Sequence, residues 1–230
     1  MSKSGNAAAL VRDFEEVGLR NLSRAEFAYR QLLEAIRKQT LRPGDRIRED
    51  ELSKMLGISR TPLRQALHQL QTRGLLEHAP SGGLVVPELS RQQVIDLYAM
   101  REILEGAAAR LAALHAGPAD IASMRGILKA FEAAAPDPRE LARVSRLFHA
   151  SLYEAAHNSY LSQTLVNFND TLALLKGTAF MVKDRWKIEL ADDRQIVDAI
   201  ERRDADTAEE VTRRNIREAL EARLQVLFQP

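Results

Sequence analysis

Five residues could make one chemical surface: Arg60, Thr61, Arg64, Gln65 and His68. On a helix, positions i, i+1, i+4, i+5 and i+8 lie on one side. Arginines and a small hydroxyl near a helix N-terminus suit phosphates and base edges in the major groove of DNA. Two short helices with a merely solvated basic side would show the same pattern, so the flanking elements decide between the two.

Those elements are legible from local chemistry. Leu52 and Leu56 are four apart and share a face of a first short helix. Gly57 can take the left-handed conformation that ends it, and Ile58 plugs the corner. Ser59 stands where a helix cap belongs, and Pro62 falls in the first turn, where a missing N–H costs nothing. Leu63, Ala66, Leu67 and Leu70 make the buried stripe of the second helix, opposite the arginines.

Charge is unevenly spread. The 230 residues carry a net +1, yet Arg24–Arg73 holds 11 Lys and Arg against 6 Asp and Glu, and the chain from residue 89 holds 19 against 21. A basic front and a slightly acidic back imply that the front meets a polyanion. The absence of cysteine excludes disulfides and thiolate metal sites and fits a reducing, cytoplasmic setting. No apolar run is long enough to span a bilayer. The first residues, with Lys3 and then Asp13, Glu15 and Glu16, lack a signal-peptide layout. Aromatics at 5% argue against single-strand binding by base stacking.

In chain order, residues 1–22 are weakly periodic and read as a flexible arm, with a helix expected within Ala7–Val17. Ser23, with Glu26 three residues on, predicts a capping box for a helix over about Arg24–Gln39. Pro43-Gly44 is a turn, and Arg46-Ile47-Arg48 a short extended piece. After the helix pair, Leu75–His78 and Leu84–Val86 flank Pro80-Ser81-Gly82-Gly83, which predicts a β-hairpin. A hairpin after a helix-turn-helix is a wing, whose glycine tip lets backbone amides approach a phosphate. Residues 23–88 thus read as a winged helix, and 89–230 as about six helices broken at Gly117-Pro118, Pro136, Pro138 and His157-Asn158. The fold class is mainly α: an N-terminal winged helix-turn-helix followed by an all-α antiparallel bundle.

The run Pro43-Gly44-Asp45-Arg46-Ile47, then Glu51-Leu52-Ser53 and Leu56-Gly57-Ile58-Ser59-Arg60-Thr61-Pro62-Leu63-Arg64-Gln65-Ala66-Leu67, closely resembles the DNA-binding domain of GntR-family transcription regulators. The helical remainder, through Arg101 with Glu105, Phe148-His149 and His157-Asn158, resembles the ligand-sensing FCD domain of the FadR subfamily. The resemblance covers residues 24–228. It implies a homodimer on a short palindromic operator in double-stranded DNA, released or rearranged by a small metabolite, often a carboxylate. It places Arg60, Thr61 and Arg64 at DNA, with Ser59 at the head of the same helix, Gly82 at the wing tip and Arg48 on the approach.

Many FCD domains hold a divalent metal through an Asp, a His four residues on, and two further histidines. The matching positions here are Ser145, His149, Asp193 and Asn215. Three of the four differ in type, so no metal is required; His149 and Asp193 are the only candidate ligands left. The four side chains are expected to face one cavity and to hydrogen-bond an organic effector directly. Arg101 matches a family arginine that faces the ligand, although Glu105 one turn on could neutralise it instead. An anion for Arg101 and a polar or cationic group for Asp193 together describe an amino acid or a hydroxylated acid.

The sequence thus describes a transcription regulator, more often a repressor in this family, tuned by a small effector. The alternative is a DNA-binding dimer whose bundle only dimerises. No nucleophile–base pair, Gly-rich phosphate loop or strong metal set suggests an enzyme.

Overall fold

The computed structural model describes residues 22–134 and 136–228. The arm and the helix expected within Ala7–Val17 lie outside these residues. The chain divides into two compact units. One contains the described residues up to Glu88 together with Asp170–Lys176; the other contains Leu89–Asn169 and the described residues from Gly177 onward.

In the first unit, α1 (Arg24–Arg37) starts at Ser23, whose hydroxyl accepts from the Glu26 amide at 3.1 Å. Glu26 turns its carboxylate to Arg30, 2.7 Å away. Strand β1 (Arg46–Ile47) leads into α2 (Glu49–Leu56), which ends at Gly57 with φ +63°. Helix α3 (Arg60–Thr72) follows. Strands β2 (Glu77–His78) and β3 (Leu84–Val85) form the wing. The extended piece at Arg46 proves to be a third strand: Arg46 pairs with Val85 and Ile47 with Leu84, giving the antiparallel order β1-β3-β2. Leu32 and Ile36 of α1, Leu52 of α2, and Leu63, Leu67 and Leu70 of α3 fill the core beneath. Asp170, 1% exposed, belongs to this unit and accepts from Arg37 at 2.5 Å and Arg73 at 3.1 Å. Arg73 also lies over the Tyr29 ring, 5.3 Å from its centroid.

The second unit is helical: α4 (Arg91–His115), α5 (Pro118–Ala134), α6 (Pro138–Ala155), α7 (Ser159–Leu172, whose last three residues fall in the first unit), a 3-10 turn at Ala179–Met181, α8 (Arg185–Glu201) and α9 (Ala205–Phe228). A reciprocal box between Ser90 and Gln93 starts α4, and Asp137 caps α6 ahead of its N-terminal proline. Helix α4 packs along α9, and α5 along α6 and α8. Buried Ala108, Ala109, Ala112 and Ala113 let α4 approach its neighbours closely around Phe131, Phe148 and Leu165. Met100 and Ile103 of the same helix are exposed.

Candidate nucleic-acid interface and buried polar cluster

Helix α3 is held by its apolar side. Leu63 and Leu70 are fully buried, which turns Arg60, Thr61, Arg64, Gln65 and His68 to solvent. Ser59 occupies the cap position without making a side-chain cap bond. The arginines are not bare. Arg64 Nε donates to Glu49 Oε2 at 2.8 Å, Arg60 Nη2 lies 2.9 Å from Asp50 Oδ1, and Arg48 Nη1 donates to Glu51 Oε1 at 2.8 Å. All three carboxylates come from the first turn of α2, where negative charge also suits the helix N-terminus. At the wing tip Gly82 has φ +87°, a conformation that side chains rarely adopt, and open space where a Cβ would stand. Its amide donates to Ala79 O at 2.9 Å, so the turn itself already uses that donor. Arg46 reaches the Ser81 hydroxyl beside it. Sequence reasoning passed over Arg46; its alternation with Arg48 across Ile47 was the available signal.

In the bundle the expected effector residues are all buried: Arg101, Ser145, His149, Asp193 and Asn215. They come from α4, α6, α8 and α9 and meet in one polar cluster. Arg101 Nε donates to Glu105 Oε1 at 2.7 Å, and its guanidinium lies 4.8 Å from the Tyr98 ring centroid. The structure therefore favours the internal partner that Glu105 offered over an Arg101 left open to a ligand. His149 Nδ1 is 2.8 Å from Glu105 Oε2, off the line of a hydrogen bond. Ser145 donates to Glu189 Oε1 at 2.7 Å, and Glu189 Oε2 is 3.2 Å from Arg185 Nη2, which also donates to the Asn215 carbonyl at 3.3 Å. The Asn215 side chain donates to Asp192, which is paired with Arg214 at 2.6 Å.

Besides the facing atoms Glu105 Oε2 and His149 Nδ1, two buried groups in this cluster keep unbonded atoms: Arg185 at Nε and Nη1, and Asp193 at both carboxylate oxygens. Burial drives the Asp193 carboxyl well above the ordinary range, and Glu189 and Asp192 push it further against Arg185. Burial alone would raise Glu105 too, but Arg101 and then His149 hold it down to about 2. Tyr153 is raised well above its ordinary value by burial and then by Glu105. Arg185, Glu189 and Asp192 were missed in the sequence. Arg185, Glu189 and Asp193 recur every four residues and so share a helix face, which was the signal.

The donor set does not fit a resident metal. Ser145 and Asn215 bring a hydroxyl and an amide already bonded to carboxylates, and His149 faces Glu105. Among the described residues, no group of three or more His, Cys, Asp or Glu is placed to hold an ion.

Residues 24–86 match the model of the bacterial regulatory proteins of the gntR family, and residues 96–218 match the FCD domain, more than half of the chain. The chain belongs to the GntR family of transcriptional regulators. It is 33% identical over 171 residues to a probable D-xylose utilization operon transcriptional repressor of Paenarthrobacter nicotinovorans, covering 72% of this chain and 74% of that one. It is 28% identical over 185 residues to the HTH-type regulator YdhC of Bacillus subtilis, covering 79% and 83%. The solved structure of E. coli McbR/YncC superposes with a TM-score of 0.77 at 22% identity, over 90% of this chain and 98% of that one, which shows a common fold. The regulator thus has a winged helix-turn-helix head and an FCD bundle, and its family consists of regulators rather than enzymes. No helix among the described residues is long and apolar enough to cross a membrane.

Proposed function

We propose that the regulator binds a palindromic operator as a homodimer, represses transcription from it in the cytoplasm, and is released by a small effector held in the buried cluster. In this reading Arg60, Thr61 and Arg64 lie against the major groove, with Ser59 and Arg48 at its edge and Gly82 at the backbone beside it. One observation carries it: Arg60, Thr61 and Arg64 stand exposed together on the first two turns of α3 while Leu63, Ala66, Leu67 and Leu70 anchor the helix beneath. Arg64→Ala then lowers operator affinity by about 1–3 kcal/mol, the worth of one base contact. A gel-shift titration checks this; unchanged binding refutes the assignment.

The effector reading rests on the unbonded atoms of Arg185 and Asp193. A guanidinium asks for an acceptor and an unbonded buried carboxyl for a polar partner, which describes a small carboxylic acid that also carries a hydroxyl or amine. Ser145, His149 and Asn215 surround the same cluster. Such an effector changes operator affinity only if it binds the DNA-competent and released states unequally. The internal Arg101–Glu105 pair favours the other reading, a bundle that only dimerises. A thermal-shift panel of hydroxy acids and amino acids separates the two, because specific stabilisation requires a binding site.

A further inference from the structure

Arg60 and Arg64 both meet carboxylates of α2, but they do so with different edges. Asp50 takes Nη2 of Arg60, the end of the guanidinium. Glu49 takes Nε of Arg64, the inner edge nearest the stem. A guanine is read bidentately through its O6 and N7, and the Nη pair at the tip of an arginine forms the matching fork. A carboxylate on Nε therefore fixes the side chain without using that tip. Glu49 is also the best-held of the three acids: its side chain is 35% exposed, against 68% for Asp50 and 69% for Glu51. The favourable position of acids at a helix N-terminus explains why α2 begins with three of them. It does not explain why the most buried one grips the inner edge of an arginine 15 residues away.

We infer that Glu49 is a positioning residue for DNA recognition: it buttresses Arg64 at Nε so that the two Nη groups present a fixed fork to a guanine. This rests on the placement of α3 in the major groove proposed above. The buttress works in opposite directions on two kinds of DNA. On the operator, a pre-set arginine loses less conformational freedom on binding. On non-operator duplex, binding is carried by phosphates, and a carboxylate beside the backbone opposes it. Glu49 thus raises affinity for the operator and lowers it for other duplex DNA, which widens discrimination.

The test compares wild type and Glu49→Gln on two duplexes of equal length, by fluorescence anisotropy at several salt concentrations. One duplex is the sequence that the wild-type protein selects from random DNA; the other is its scrambled version. The expected result is a loss of about three- to tenfold on the selected duplex, the effect of one pre-ordered long side chain, with equal or tighter binding of the scrambled one. The selectivity ratio falls, and the change disappears in an Arg64→Ala background. Glu140→Gln makes the same charge change in an ion pair of α6 with Arg143 and leaves the ratio unchanged. Equal gains on both duplexes would reduce Glu49 to a repelling charge, and equal losses to a fold element; either result, or no change, overturns the inference. If Arg64→Ala alone leaves operator binding intact, the placement of α3 fails first and the two failures are told apart.

Discussion

The head and the bundle are built from the same pair of groups, arginine and carboxylate, set in different surroundings. On the head, Arg48, Arg60 and Arg64 are each about two-thirds exposed or more and meet acids directly at 2.8–2.9 Å in contact with solvent. In the bundle, Arg101 and Glu105 meet at 2.7 Å with side chains 5% and 0% exposed. Exposed pairs are worth about 0–1 kcal/mol and exchange partners readily. A buried pair is held because neither charge can be left alone. Arg48 and Arg60, held at Nη, are therefore suited to giving up a carboxylate for DNA, whereas Arg64, held at Nε, has its tip free without doing so. In the bundle, a ligand would find groups to meet where the internal pairing is incomplete, as at Arg185 and Asp193.

The largest effect that this contrast predicts lies in the bundle. Glu105→Ala strands a buried guanidinium and should cost about 3–5 kcal/mol in urea unfolding, whereas Arg101→Met with Glu105→Leu removes both charges and should recover most of it. A loss under 1 kcal/mol for the single variant would mean that burial does not set the strength of the pair. Glu105 titrates at about 2 when folded against an ordinary 4.5, so its contribution is complete above 4.5 and lost as pH falls toward 2.

Asp193 has the opposite sign. Its folded pKa is raised, so the folded state keeps a proton that the unfolded chain releases above 3.8. Stability from this source is full below 3.8 and declines as pH rises. Asp193→Asn should abolish the decline, gaining on wild type by at most about 1.4 kcal/mol per pH unit above that point and matching it below. Parallel melting curves for the two proteins from pH 4 to 8 would contradict the burial of Asp193.

The smallest effect belongs to the exposed set. Asp50→Asn and Glu51→Gln should each move fold stability by less than about 0.5 kcal/mol. A shift above 1 kcal/mol in thermal unfolding would erase the distinction between the two regions.

Legibility in the sequence followed the range of the interactions. Gly57, the stripe on α3, the wing turn and the breaks at Gly117-Pro118 and Pro138 are local, and each appears in the structure where local chemistry places it. Strand β1 was not legible as a strand, since two residues carry no period and their partners lie near position 85. The convergence of Ser145, His149, Asp193 and Asn215 was legible only through resemblance. Arg185, Glu189 and Asp192 are not distinctive in the sequence, because charges three or four residues apart on a helix usually face water. Their burial is decided by the packing of four separate helices.

Asp170 has a consequence for anyone who takes this protein apart. The acid that satisfies Arg37 and Arg73 enters the head from nearly a hundred residues downstream of Arg73. A fragment stopped at Glu88 would keep every recognition side chain and lose that anion, leaving Arg37 with Glu34, 3.7 Å away, and Arg73 with the Tyr29 ring. Chimaeras that transplant the head onto a foreign sensor must therefore carry Asp170–Lys176 with it, or supply an equivalent acid from the new host.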